Sequence, residues 1–338
     1  MNNKLAKAQG ETCGPLAGKE HSMNARRLTR KTVTGIGLAG LALACFGLVG
    51  SAEAAGPTFT TFDYPGAVFT DGVDINRFGD IVGHYVDAAG TDHGYLLHKG
   101  SFTTIDFPGA DGGHAHGINS GGAIVGLYFI GKKFHGYVLS GAVYSTIDFP
   151  GVQNTRANGI NTAGDIVGSC VDNNSYNNTG GSNGSKERGF LLRAGVFTPI
   201  DFPGADYTEA WRINDNGQIV GRYQRGNGDT HVFLLIIATG TFISIDYPGA
   251  SATAVGDFTQ MGGLNNNGDI ASGYCNSSNC RLDTISALHG FLLSGGSFTS
   301  LDVPGAAGTV PFGINDQGAI VGGYTDLNLR VHGFLRTP

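Results

Sequence analysis

Four residues of this chain supply the types that acid–base or nucleophilic chemistry on a glycosidic or ester bond requires: Asp71, His114, His116 and Glu209. Trp211, the only tryptophan, stands between Glu209 and Arg212, and an aromatic ring flanked by polar groups can serve as a platform for a sugar. Arg156, Asn158 and Tyr207, with Trp211 and Arg212, complete a set of candidate ligand-binding residues. His114-Ala115-His116 offers two imidazoles close together, but on a glycine-rich segment with no further ligand in a recognisable spacing it predicts no metal centre. The sequence contains no G-x-S-x-G elbow, H-E-x-x-H pair or phosphate-binding loop, so neither a common hydrolase motif nor a cofactor is indicated.

The elements that carry these residues are repeats. From about 58 to 338 the chain holds six copies of one unit, each with three marks in fixed order: F-T-x-x-D-x-P-G, G-I-N-x-x-G-x-I-V-G-x-Y and H-G-F-L-L. The Asp of the first mark falls at Asp63, Asp106, Asp148, Asp201, Asp246 and Asp302, a period of about 48 residues that suits propeller blades. The Asn of the second falls at Asn76, Asn119, Asn161, Asn214, Asn265 and Asn315, and the third mark begins at His93, His135, Arg188, His231, His289 and His332. Asn followed three residues later by Gly predicts a tight hairpin, because the amide side chain bonds its own backbone and Gly supplies the positive φ. Alternating Phe, Thr and Ile before Pro-Gly predicts a strand with one face buried that Pro terminates. Each unit therefore reads as four short strands.

The last unit ends after H-G-F-L with no F-T-x-x-D segment, and a spare segment of that type, Phe59–Asp63, sits at the front. This displacement predicts an all-β, six-bladed β-propeller whose ring is closed by an N-terminal strand completing the last blade; an open solenoid is the alternative. In that arrangement F-T-x-x-D reads as the outer strand and G-I-N as the inner one, with the reverse order the alternative. Two sets of loops, one after Pro-Gly and one between G-x-Y and H-G-F, then open on one face. The first set is expected to hold Asp71, Asp74, His114, His116, Arg156, Asn158, Asp206, Tyr207, Glu209, Trp211 and Arg212 and to bring them to the mouth of the central channel. The repeated Asp residues are expected to accept turn N–H bonds, and the repeated His residues to fix strand starts.

The three marks together resemble the HAF-type extracellular repeats of bacterial exported proteins over about 58–338, with departures at Arg188, Val232 and Ala271-Ser272. The resemblance implies export and a β-repeat architecture, and no reaction or ligand. The front of the chain agrees: Arg26, Arg27, Arg30 and Lys31 precede an apolar run from Ile36 to Val49, followed by Ala52-Glu53-Ala54. Residues 1–54 are read as a signal peptide, with Met23 a second candidate start, and 55–338 as the propeller. A twin-arginine signal at Arg26-Arg27 and a lipoprotein site at Cys45 are weaker alternatives. Removal of 1–54 leaves 14 Lys and Arg against 24 Asp and Glu, a net charge of −10. Such an acidic surface argues against nucleic acid and anionic membranes as partners, and no membrane span is expected after the signal is removed. Cys275 and Cys280 are expected to form a disulfide in an exported protein, while Cys170 replaces a strand-end Tyr and reads as a buried thiol.

Together these features predict a secreted, periplasmic or cell-surface propeller acting as a non-catalytic module that binds a glycan, cell-wall polymer or protein through its variable loops. The alternatives are a polysaccharide or ester hydrolase or lyase using the channel-mouth acids and histidines, and a purely structural surface protein.

Overall fold

A computed structural model describes residues 56–171, 187–226, 230–253, 262–276 and 288–338. The expected signal segment 1–54 and Cys280 lie outside the described residues. The chain forms six antiparallel sheets arranged as the six blades of a β-propeller. Blade 1 runs outward from the axis as Phe69–Ile75, Ile81–Val86, Asp92–His98 and Ser101–Ile105, and this order recurs in blades 2, 3 and 4. The G-I-N segment ends the inner strand, and the F-T-x-x-D segment is the outer one.

Blade 6 contains Gly308–Ile314, Ile320–Thr325 and Val331–Thr337, and its outermost strand is Thr58–Phe62 from the front of the chain. The register pairs Thr60 with Leu335 and Phe62 with Gly333. Closure carries its side chains along. Asp63 accepts a hydrogen bond from His332 Nδ1 at 2.9 Å, the same contact that Asp148 makes with His135 at 2.9 Å within blade 2. The displaced segment thus removes the exposed edges that an open array would leave.

The repeated marks prove to be joints within and between blades. Each His that opens the third mark bonds the Asp that ends the outer strand: His93–Asp106, His135–Asp148, His231–Asp246, His289–Asp302 and His332–Asp63, and Arg188 faces Asp201 at 3.9 Å in blade 3. The turn N–H reading of these carboxylates is thereby corrected: the imidazole one strand inward is their partner. The Asn of G-I-N closes its own turn, with Asn76 Oδ1 accepting from the amides of Phe78 and Asp80. Its other end reaches the next blade. Asn119 donates to the Asn161 carbonyl, Asn214 to Asn265, Asn265 to Asn315, and Asn315 to Asn76, the last bond joining the end of the ring to its start. Core packing sits between blades, as where Val82 and Ile105 of blade 1 meet Ala115, Tyr128 and Tyr137 of blade 2. The aromatic before Pro-Gly stacks on the Tyr of G-x-Y, with Phe107–Tyr128 and Phe202–Tyr223 centroids 3.8 and 3.6 Å apart. Cys170 takes that Tyr position in blade 3 and is buried.

The Gly of I-V-G has a steric cause. A Cβ on Gly221 would fall 2.0 Å from the Glu209 carbonyl oxygen and 2.7 Å from the Phe233 ring. Gly221→Ala is therefore expected to lose at least ~1–3 kcal/mol, read as a lower denaturant midpoint with unchanged slope; an unchanged midpoint would mean that the two strands stand further apart.

Candidate functional site

The polar residues expected on loops are instead on the inner strands themselves. Asp71 and Asp74 lie on Phe69–Ile75, His114 and His116 on Gly112–Ile118, Arg156 and Asn158 on Asn154–Ile160, and Tyr207, Glu209, Trp211 and Arg212 on Tyr207–Ile213. The sequence reading placed strand starts too late, because Gly, His, Arg and Glu interrupt the apolar alternation that marks a strand. Tertiary context overrides that weak local propensity. Among the expected loop residues only Asp206 precedes its strand.

The inner strands of blades 1, 2, 3, 4 and 6 each carry a bulge one residue before the G-I-N position. The bulge residues are Val73, His116, Asn158, Trp211 and Phe312. Trp211 is fully covered, packed with Val220, Val232, Leu264 and Phe312, and so is no platform open to a sugar. His116 is likewise covered; Nδ1 meets Asn158 Oδ1 at 3.2 Å, and burial holds its imidazole well below the ordinary range. Val232, which departs from the repeat's Gly, fills the same cluster as Trp211. Trp emission should accordingly be blue-shifted and resist iodide quenching; quenching comparable to a free indole would contradict this burial.

The residue at the Gly place of G-I-N seals the axis. Glycine occupies this place at Gly117, Gly159, Gly263 and Gly313, where the backbones crowd: a Cβ on Gly159 would lie 2.5 Å from the Trp211 carbonyl oxygen, and one on Gly313 2.8 Å from Asp74 Cα. The two other residues, Asp74 and Arg212, belong to opposite blades, and their side chains meet across the centre, with Arg212 Nε 3.5 Å from Asp74 Oδ1. The Arg212 guanidinium also donates to the carbonyls of Asn158 at 2.9 Å, Trp211 at 2.9 Å and Val73 at 2.7 Å. Burial raises the Asp74 carboxyl against the pull of Arg212, and Asp74 also accepts from the Ile118 amide. This guanidinium is a plug tying blades 1, 3 and 4 together. It is fully committed to the fold, which answers its expected role in ligand binding.

Glu209 and Arg156 are committed as well. Glu209 accepts from Tyr207 Oη at 3.0 Å and from Arg222 Nε at 3.0 Å, and Arg156 lies 3.6 Å from it. Arg156 also bonds Glu187 at 3.0 Å, and Glu187 accepts from Ser169 Oγ at 2.6 Å. Glu209 is wholly inaccessible, and Arg156 stacks over Phe134. Burial raises the Glu187 carboxyl, with Arg156 opposing. Chemically this is a closed ion-pair network. A carboxylate with two guanidinium neighbours and a phenol donor has no lone pair aimed at a substrate.

Blades 1 and 2 hold a different cluster nearer the surface, at the face where the blade-to-blade loops emerge. His84 lies opposite Asp71 in the strand register and its Nδ1 is 2.9 Å from Asp71 Oδ1. The His84 ring stacks on the His114 ring at 4.2 Å, and His114 Nε2 is 3.5 Å from Asp92 Oδ1. Burial pulls His84 down, but Asp71 and Asp92 more than offset it, so its imidazole sits above the ordinary value. Burial and the neighbouring His84 pull His114 below it. His84 and Asp92 were missed in the sequence. Their signal was positional: the x of I-V-G-x-Y and the residue before His-Gly are free to vary, and reading down the blades these two places hold His84 and Asp92, Leu127 and Phe134, Ser169 and Glu187, Arg222 and Thr230. The variable places inside the repeated motifs, rather than the loops, carry the chemistry of this face.

Cys275 is buried at the end of Ile270–Cys275 and disulfide-bonded. No helix among the described residues is long and apolar enough to cross a membrane.

No protein-family profile and no curated protein sequence matches the chain. Solved structures do. One, described as TolB from Agrobacterium tumefaciens, superposes with a TM-score of 0.51 at 11% identity over 80% of this chain and 90% of its own. A lectin from Aleuria aurantia, in complex with Fucα1-6GlcNAc, gives 0.50 at 11% identity over 80% and 93%. At such identity the likeness is one of fold, and it agrees with a six-bladed propeller.

Proposed function

We propose that the chain is an exported, non-catalytic binding module that presents the loop face of a rigid ring to an extracellular glycan, cell-wall polymer or protein. The observation that carries this reading is the commitment of the axial polar groups to internal partners: Glu209, Arg156 and Arg212 are buried and paired, and His116 is buried. A hydrolase or lyase built on these residues would need an accessible acid and base within reach of substrate, and they offer none. The loop face does expose apolar side chains. Leu327 and Leu329 are 81% and 69% exposed between two strands of blade 6, and Val68 is 52% exposed ahead of the first inner strand. Solvated leucines on a rigid loop are a common anchor for a partner. The resemblance to HAF-type repeats and the charged, then apolar, leader support export. The Aleuria lectin, which shares only the fold, is compatible with a sugar as ligand.

The test is retention of the purified chain on immobilised glycans, peptidoglycan and extracellular proteins, compared with Leu327→Asp/Leu329→Asp. Retention that this double substitution weakens at least ~10-fold, an estimate of about 1.4 kcal/mol, supports the reading. Product release from any of the polymers would overturn its non-catalytic part, and no retention on any matrix would overturn binding.

A further inference from the structure

We propose that His84, Asp92 and His114 form a mononuclear site for a divalent transition metal, with zinc the natural occupant, at the loop-face seam between blades 1 and 2. One ligand atom from each of the three lies within 4.8 Å of the others. Ligands at about 2.0–2.1 Å from a tetrahedral zinc stand about 3.4 Å apart; the 3.5 Å between His114 Nε2 and Asp92 Oδ1 already meets that spacing. Two imidazoles and one carboxylate favour zinc and its neighbours over calcium or magnesium, which prefer all-oxygen shells.

Two further observations point the same way. The Asp71 carboxylate lies 2.9 Å from His84 Nδ1, near enough to serve as an outer partner of a ligating imidazole. Neither ring nitrogen of His114 has a hydrogen-bond partner, although both are buried. Such orphaned nitrogens cost free energy that a metal would recover. The side chains of His84 and His114 are 13% and 15% exposed, and that of Asp92 is 41% exposed, so Asp92 stands at the entrance. Three protein ligands leave at least one coordination position for water or for a carboxylate or hydroxyl of a bound partner. This inference does not depend on the glycan- or protein-binding reading, since the metal alone is its ligand.

The experiment is a titration of the purified, untagged, chelator-treated chain with Co²⁺, a visible-absorbing stand-in for zinc, followed by Zn²⁺ displacement and competition with excess Ca²⁺ and Mg²⁺. The expected result is saturable uptake of a single Co²⁺ per chain, displaced by Zn²⁺ and indifferent to Ca²⁺ and Mg²⁺. His114→Gln and Asp92→Asn are each expected to weaken it at least ~100-fold, and Asp71→Asn by about 10–100-fold. His98→Gln, at a histidine bonded to Asp80, should leave it unchanged. Asp92 is exposed enough that its substitution leaves the fold intact, so a folding failure of the His114 variant does not blunt the test. No uptake by the unaltered chain, or uptake that Asp92→Asn leaves unchanged, would overturn the proposal.

Discussion

Arg212→Met is expected to cost ~3–5 kcal/mol of folding free energy, the range for breaking a buried ion pair by removing one partner. The loss comes from what is left behind. Asp74 keeps a buried carboxylate without its counter-charge, and the carbonyls of Val73, Asn158 and Trp211 lose a shared donor at the crowded centre of the ring. Arg212→Lys should recover little, because a compact ammonium cannot reproduce a fork that bonds several carbonyls at once. Adding Asp74→Asn to Arg212→Met should return about 0.5–3 kcal/mol, as expected of a directly coupled pair. Urea unfolding of the four chains measures all of this. A midpoint for Arg212→Met within ~0.5 kcal/mol of the parent would show that the axis is held by the backbone crowding of its glycines alone.

Removal of the front strand should be as damaging by a different route. A chain that begins at Tyr64 loses Thr58–Phe62, and with it the whole outer strand of blade 6. Phe62 covers Gly333 and packs beside Tyr95 in the first interblade core, and Phe59 packs against Phe334. Phe59 and Phe62 are half-buried, so each contributes at most about 1.5–3 kcal/mol, and the unpaired backbone of Val331–Thr337 adds to the deficit. His332 also loses Asp63. We expect a loss of roughly 5 kcal/mol or more, together with association of the opened edges into dimers or larger species. Size-exclusion chromatography and urea unfolding of the shortened chain measure both; a monomer of parental stability would mean that the ring does not need its front strand.

The legible part of this molecule is its periodicity. Six Asp, six Asn and the displaced F-T-x-x-D segment gave the blade count and the closure, because turn chemistry and period-2 alternation are local properties, while the strand order within a blade follows only from the sheet pairing. What the Asn, His and Asp residues bond to was only half legible. The turn formed by Asn76 is local, but the bond from Asn315 to the Asn76 carbonyl spans 239 residues and follows only once the ring is built. The candidate site was the least legible. Trp211 drew the eye as a lone aromatic among charges, yet a bulge turns it into the core between blades 4 and 5. Arg212 and Asp74 stand in place of the Gly of G-I-N, a departure missed in the sequence, and their meaning required knowing that blades 1 and 4 face each other across the axis. His84 lies 30 residues before His114 in sequence but beside it in space.

The closed ring around a sealed axis is tested most directly by hydrogen–deuterium exchange of the purified chain. Closure predicts that amides of Val331–Thr337 exchange as slowly as those of Glu187–Arg193, the equivalent strand of blade 3, and that both open only with global unfolding. Fast exchange confined to Val331–Thr337, as for a frayed edge strand, would contradict it.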